Sequence, residues 1–196
     1  MTRNIDRLLA EYSTFTAGTA SRCGVSSSML QTAMMDNKIV REANGVYVVV
    51  GTETDEYSLL SQKFSRGVFS QETALILHGL TTEMPLTFQM TFPRGYNNSD
   101  LDKWRVSARH LIPERYALGI ETIQSPSGDP IKVYDPERTL LDIWNDPDIG
   151  SNIKYEAVDN YLASHPGIEE NLRMEKYAEM LHSASDLFTV MAVLDR

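Results

Sequence analysis

Ile5, Leu8, Leu9 and Tyr12 recur at three- and four-residue intervals, which predicts an amphipathic helix over residues 3–12. Thr16 then stands where an N-cap belongs before AGTASRC, and Gly24 suits the left-handed residue that ends such a helix. Ser26 or Ser27 caps a third helix that runs to about Asn37. On it Met29, Leu30, Ala33 and Met34 face inward, while Ser27, Ser28, Gln31, Thr32 and Met35 lie outside. In IVREANGVYVVV the period changes from helical to alternating, with Asn44-Gly45 at the position of a hairpin turn. Helix, helix, helix, hairpin is the order of a winged helix-turn-helix, in which the third helix enters the major groove and the hairpin is the wing.

Beyond a break at GTETDE the pattern becomes mixed. EYSLLSQKF predicts a helix, VFS a short strand, and SQETALILHGL a helix stopped by Gly79. FQMTFP alternates as a strand, RGYNNSD is a loop, and WRVSARHLI is a further strand with Val106, Ala108 and His110 on one face. LGIETIQSP and DPIKVY predict two more strands around a Ser-Gly-Asp turn. Asp135-Pro136 opens a helix with Leu140, Leu141 and Trp144 on its apolar face, because proline is tolerated at the first helical position behind a capping aspartate. From about Lys154 two or three helices follow, broken at His165-Pro166-Gly167 and Ser183-Ala184-Ser185. The expected fold is α+β: a winged helix-turn-helix over 1–52, then a mixed α/β domain over 53–196 with a helical tail.

Charge sharpens this division. The chain of 196 residues carries a net charge of −9, which on its own argues against nucleic acid. Residues 1–50 nevertheless hold five basic against four acidic side chains, and residues 60–115 seven against five. The acidity is concentrated in residues 116–196, with six basic and fifteen acidic side chains. Phosphate contacts are therefore expected only from the first half. No apolar run approaches the roughly 20 residues that cross a bilayer, and MTRNIDRLLAEYSTF lacks the apolar segment of a signal peptide, which places the chain in the cytoplasm with no membrane partner. A single cysteine, Cys23, excludes an internal disulfide and reads as a small buried apolar side chain.

A groove-reading helix needs short hydrogen-bonding side chains for base edges, flanked by cations for phosphates. Ser26, Ser27, Ser28, Gln31 and Thr32 supply the former; Arg22, Lys38 and Arg41 the latter, with Asn44 at the tip of the wing. The same residues also suit a capped helix with a solvated face. Tyr47 reads as packed in the sheet. Arg94, Lys103, Arg105 and Arg109 form a second basic cluster, with Arg105, Ser107 and Arg109 aligned by the strand period; it is either a surface for nucleic acid or an acidic partner, or an ordinary solvated sheet face. His78, His110, His165 and His182 have no metal-site spacing, and no nucleotide loop, nucleophile elbow or paired CxxC is present. The carboxylates Asp135, Glu137 and Asp142 gather near one helix start, where a capping role accounts for the first two. The expectation is of a non-enzyme without metal or cofactor.

GVYVVV, FSQETALILHGL, MTFPRGYN and VYDPERTLLDI, spaced over residues 45–143, together resemble the AbiEi family of antitoxins from bacterial type IV (abortive infection) toxin-antitoxin systems. The resemblance implies a DNA-binding domain that represses its own operon through upstream inverted repeats, and a C-terminal domain that counteracts a nucleotidyltransferase-like toxin. Carried onto this chain, the recognition helix falls on 26–37, the wing on 39–50, and the antitoxin domain's basic face on Arg94, Lys103, Arg105 and Arg109. The acidic tail departs from a broad basic surface. Palindromic operators call for at least two protomers on the DNA. Two other readings stay open: a plain winged-helix regulator whose larger domain senses a ligand or dimerises, and an enzyme acting on a toxin or nucleotide.

Overall fold

The computed structural model describes residues 2–42, 45–165, 168–181 and 186–194. The fold is α+β, with ten helices and two sheets among the described residues. The chain divides into two compact units, Met1–Arg66 with Thr122–Lys132, and Gly67–Glu121 with Val133–Arg196. Among the described residues no helix is long and apolar enough to cross a membrane.

In the first unit, α1 (Thr2–Glu11), α2 (Ala17–Arg22) and α3 (Ser27–Met35) pack on a three-stranded antiparallel sheet of β1 (Thr14–Thr16), β2 (Ile39–Arg41) and β3 (Val46–Val49), in the order β1-β3-β2. The helical periods and the hairpin strands fall where the hydrophobic pattern puts them. The strand β1 is an addition to that pattern. Its register, Thr14 opposite Val48 and Thr16 opposite Val46, is set by a partner some thirty residues away. Ile5, Leu8, Phe15, Ala20, Val25, Leu30, Ala33, Ile39 and Tyr47 form the core. Each fully buried Leu, Ile or Phe in such a cluster contributes about 1.5–3 kcal/mol. Tyr47 is buried and stacks on Phe15, with ring centroids 5.7 Å apart. Cys23, expected in the core, sits at its margin and is half-buried.

The first unit extends past residue 52. It takes in α4 (Glu56–Lys63), capped by Asp55, whose carboxylate accepts from the Ser58 amide at 3.0 Å. It also takes in the tip of the hairpin formed by β7 (Ile120–Gln124) and β8 (Pro130–Tyr134). Asp129 in that tip accepts from the amides of Ser13 at 2.6 Å and Thr14 at 3.1 Å, and Asp55 accepts from the Ser125 hydroxyl.

The second unit is built on a mixed sheet whose full order is β6-β5-β4-β8-β7, with β4 (Val68–Phe69), β5 (Phe88–Pro93) and β6 (Val106–Leu111). β5 runs parallel to β6, and β4 antiparallel to β5 but parallel to β8. Around the sheet lie α5 (Gln71–Leu77), α6 (Pro113–Tyr116), α7 (Pro136–Trp144), α8 (Ser151–Ser164), α9 (Ile168–Leu181) and α10 (Asp186–Leu194). Leu75 of α5, Leu140, Leu141 and Ile143 of α7, Ala157, Val158 and Tyr161 of α8, Met174 of α9 and Leu187 of α10 share one core. Gly79, left-handed at φ 68°, ends α5 as expected: its own amide bonds back to Ile76 at 3.0 Å and that of Leu80 to Leu75 at 2.8 Å.

Candidate functional site

The segment from α2 to α3 is defined by four local devices. The Thr16 hydroxyl accepts from the Thr19 amide at 3.1 Å and caps α2. Gly24, at φ 71°, then closes α2: its amide donates to Ser21 and that of Val25 to Ala20, which buries Val25 and turns the chain. A side chain at Gly24 would also meet Asn4 Nδ2 at 2.9 Å, so the turn lies close against α1. Ser26 caps α3 through the Met29 amide at 3.4 Å, and Asn37, left-handed at φ 54°, ends it, with the Lys38 amide bonded to Ala33 at 2.9 Å.

These devices leave one face of α3 outside. Leu30 and Ala33 are buried, Met29 and Met34 are half-buried, and Ser27, Ser28, Gln31, Thr32 and Met35 are exposed. The face is not uniformly available for hydrogen bonding. The Ser26 and Ser28 hydroxyls lie 2.8 Å apart, and the Thr32 hydroxyl donates back to the Ser28 carbonyl at 3.1 Å. Among the described residues, the Ser27 hydroxyl and the Gln31 carboxamide have no intramolecular partner. Arg22 is exposed, with Nη2 donating to Thr19 Oγ1 at 3.0 Å. Lys38 Nζ stands 3.8 Å from Asp6 Oδ1, a solvated pair that contributes little to stability. Arg41 is exposed on β2, opposite Tyr47 in register. Asn44 lies outside the described residues. The first unit thus brings Ser27, Ser28, Gln31 and Thr32 together on one helix, with Arg22, Lys38 and Arg41 on adjoining elements.

Arg105, Ser107 and Arg109 do not form the aligned strand face that the two-residue period predicts. Asp102–Trp104 form a 3-10 turn, and Arg105 adopts a left-handed conformation, φ 54°, that closes it before β6 begins. The Arg105 guanidinium donates to the Leu86 carbonyl. Arg94 follows β5 and is exposed, and Lys103 is exposed in the 3-10 turn. Arg109 alone lies within β6, and its Nη1 reaches Asp142 Oδ1 of α7 at 3.2 Å.

The helix that receives Arg109 holds a site that helical periodicity does not reveal. Every residue of α7 from Pro136 to Ile143 is buried, charged ones included. Asp135 caps the helix through the Arg138 amide at 2.8 Å and accepts from the Tyr177 hydroxyl at 2.8 Å. Glu137 accepts from the Tyr161 hydroxyl at 3.0 Å and lies 3.4 Å from Arg173 Nη1. It is therefore a paired internal carboxylate rather than only a first-turn acid. Arg138 is 0% exposed. Its Nε donates to Asp142 at 3.0 Å and its Nη1 to the carbonyls of Arg115 and Leu118 at 2.7 and 2.8 Å, while its guanidinium lies 4.5 Å over the Tyr134 ring. Gly119, at φ 76°, allows this approach, since a Cβ there would stand 2.8 Å from Arg138 Cβ. The four-residue spacing of Arg138 and Asp142, which makes them an i,i+4 ion pair on the helix, is the signal in the sequence that could have disclosed the network.

Burial sets the electrostatics here. It pushes the Asp135 carboxyl up from 3.8 to about 6, against the opposing hydrogen bonds from the Arg138 amide and Tyr177. Burial also raises the Tyr134 and Tyr177 hydroxyls and lowers His78, whose Nε2 lies 2.7 Å from the Tyr134 carbonyl. A cavity of about 300 Å³ opens beside α7, with Arg109, Arg115, Arg138 and Asp142 in its wall and Leu111 and Leu181 as apolar sides.

No protein-family model matches the chain, and no curated protein does. Solved structures do. The RV2827C protein from Mycobacterium tuberculosis is similar over 98% of this chain and 73% of that one, with a TM-score of 0.53 and 14% identity. At that identity the likeness shows a shared α+β fold and nothing about activity. The histidines are dispersed: His165 stacks on Tyr161 with centroids 4.7 Å apart, and His110 lies beside Phe92. His182 lies outside the described residues. Among the described residues no group of three His, Cys, Asp or Glu side chains could hold a metal ion.

Proposed function

We propose that this chain is a DNA-binding autorepressor whose first unit is a winged helix-turn-helix, and that it serves as the antitoxin of a type IV toxin-antitoxin system. The observation that carries the DNA-binding half is α3: a capped helix that buries Leu30 and Ala33 and turns Ser27, Ser28, Gln31 and Thr32 outward. It follows α2 through a tight left-handed turn at Gly24 and is followed by an antiparallel hairpin carrying Arg41. In this reading Gln31 and the serines meet base edges, with Arg22, Lys38 and Arg41 on the backbone. The antitoxin half is supported by the resemblance of FSQETALILHGL, MTFPRGYN and VYDPERTLLDI to the AbiEi family, and the functional partner is a nucleotidyltransferase-like toxin.

The decisive experiment is binding of the purified chain to the DNA upstream of its own gene, beside a scrambled duplex of equal length, at two salt concentrations. Specific binding that weakens steeply with salt is the expected result, because phosphate contacts release counterions. Equal binding to both duplexes, or none at low salt, would remove the repressor assignment. Rescue of growth when the chain is co-expressed with the neighbouring toxin tests the second half separately. The cavity beside α7 favours one alternative, a regulator that senses a small ligand; loss of rescue with operator binding intact would select it.

A further inference from the structure

We propose that the cavity beside α7 is a binding site for a small phosphorylated ligand, held by Arg109, Arg115 and Arg138. Its volume, about 300 Å³, is at the lower end of small-molecule sites. Three guanidinium groups line it against a single carboxylate, Asp142. That carboxylate is already committed: Oδ1 lies 3.2 Å from Arg109 Nη1, and Oδ2 accepts from Arg138 Nε at 3.0 Å. It offsets one of the three positive charges. Two remain on the wall of the cavity.

Arg138 supplies the second, independent observation. Its Nε and Nη1 are satisfied by Asp142 and by the carbonyls of Arg115 and Leu118. Its Nη2 is buried and has no hydrogen-bond partner. A buried guanidinium nitrogen left without an acceptor is costly, and such groups in folded proteins regularly mark a ligand or ion. The rest of the guanidinium is held in place, so Arg138 gives the cavity wall a fixed positive charge and little ordering would be needed on binding. Arg115 is half-buried and has no carboxylate partner among the described residues, and Arg109 is 39% exposed at its side chain, so both can reach a guest.

Guanidinium groups bind carboxylate and phosphate alike in fork geometry. The charge favours phosphate: two uncompensated cations match a phosphomonoester, which carries about −1.5 to −2 at neutral pH. The ligand is either inorganic phosphate or the phosphate of a mononucleotide. This inference does not depend on DNA binding, which belongs to residues of the other unit.

The test is calorimetric titration of the full chain with sodium phosphate and with adenosine monophosphate, at constant ionic strength set by chloride. Saturable binding at one site per chain is expected, weakened about tenfold or more by Arg115→Gln and by Arg109→Gln. The unliganded unfolding midpoint of Arg115→Gln should stay near that of the parent. Arg22→Gln, which removes a cation beside α3, should leave this binding unchanged and so separates the cavity from the proposed DNA face. Much tighter binding of the nucleotide would identify its phosphate as the source, and equal affinities would identify the bare oxyanion. No saturable binding of either at millimolar concentration, or binding lost in Arg22→Gln and kept in Arg115→Gln, would overturn the proposal.

Discussion

The helices α3 and α7 are both nine residues long and both capped by a short polar side chain, Ser26 in one and Asp135 in the other, yet they use their polar residues in opposite ways. α3 buries two residues and turns its hydroxyls and its carboxamide to water. α7 buries eight, among them Glu137, Arg138 and Asp142. A solvated polar side chain contributes little to stability and can be exchanged for recognition, whereas a buried charge is tolerated only with its partners in place. The two helices therefore separate a surface whose residues are open to functional choice from a framework whose residues are bound to one another.

Arg138→Met breaks the contrast most directly. Methionine approximates the side-chain length but leaves the Arg115 and Leu118 carbonyls without a donor and removes one of the two cations on Asp142. Removing one partner of a buried ion pair costs about 3–5 kcal/mol, and urea unfolding of the full chain should show a loss of that size. A loss within the noise of the measurement would mean that the network is incidental to folding.

Asp135→Asn sharpens the contrast through pH. Asparagine caps a helix about as well as aspartate through its Oδ1, and its Nδ2, in place of the oxygen that accepts from Tyr177, can donate to the Tyr177 oxygen instead. In the parent protein the folded carboxyl titrates near 6 rather than 3.8, so the folded state binds the proton more tightly than the unfolded chain. Asp135 therefore imposes no penalty below about pH 4. Its contribution to stability falls as pH rises from there to about 6, and the penalty is complete above that. The shift corresponds to at most about 3 kcal/mol. The variant should gain on the parent across this window and hold a constant advantage at higher pH. Because burial lowers His78, that group acts in the opposite sense as pH falls, and the difference between variant and parent cancels it. An unfolding difference that does not change between pH 4 and 7 would refute the raised carboxyl.

Gly119→Ala probes the space around Arg138. The residue is left-handed, at φ 76°, and a Cβ would approach Arg138 Cβ to 2.8 Å and Asp135 Oδ1 to 3.2 Å. Left-handed backbone alone costs a non-glycine residue about 1–2 kcal/mol, so a total near 2 kcal/mol is expected in thermal or urea unfolding. Gly45→Ala, where no atom lies within 4 Å and φ is 74°, carries the backbone cost without the contact and is the reference. Equal losses in the two variants would show that the contact with Arg138 adds nothing.

What could be read from the sequence was what is decided locally. Thr16, Gly24 and Ser26 act on backbone groups within a few residues, and the reading of α2 and α3 followed from them. The Asp135-Pro136 start of α7 was legible for the same reason. The strand β1 was not, because three residues carry no period and its register comes from β3. Nor was the membership of residues 122–132 in the first unit, which rests on Asp129 meeting Ser13 across 116 positions of sequence. The aligned face of Arg105, Ser107 and Arg109 failed because alternation presumes extended backbone, and Arg105 is left-handed. In α7 the helical period gives the apolar stripe but not the burial of the polar side, which follows from the tyrosines of other helices, Tyr161 and Tyr177, that supply hydroxyls to Glu137 and Asp135.

The smallest effect on stability is expected on the exposed faces of α2 and α3, and it is the one that separates surface from framework. Gln31→Ala and Arg22→Ala remove exposed side chains, and each should change unfolding free energy by no more than about 0.5 kcal/mol. If the proposed function holds, their effects on operator binding differ in kind. Gln31→Ala should relax preference at one base pair, a discrimination of about 1–3 kcal/mol, with non-specific affinity little altered. Arg22→Ala should weaken every duplex alike and reduce the salt slope by about one. Measuring both variants on matched and singly mismatched operators at several salt concentrations distinguishes a base-reading residue from a phosphate-binding one. A Gln31→Ala protein as selective as its parent would move the reading surface off α3, while leaving the buried network of α7 untouched.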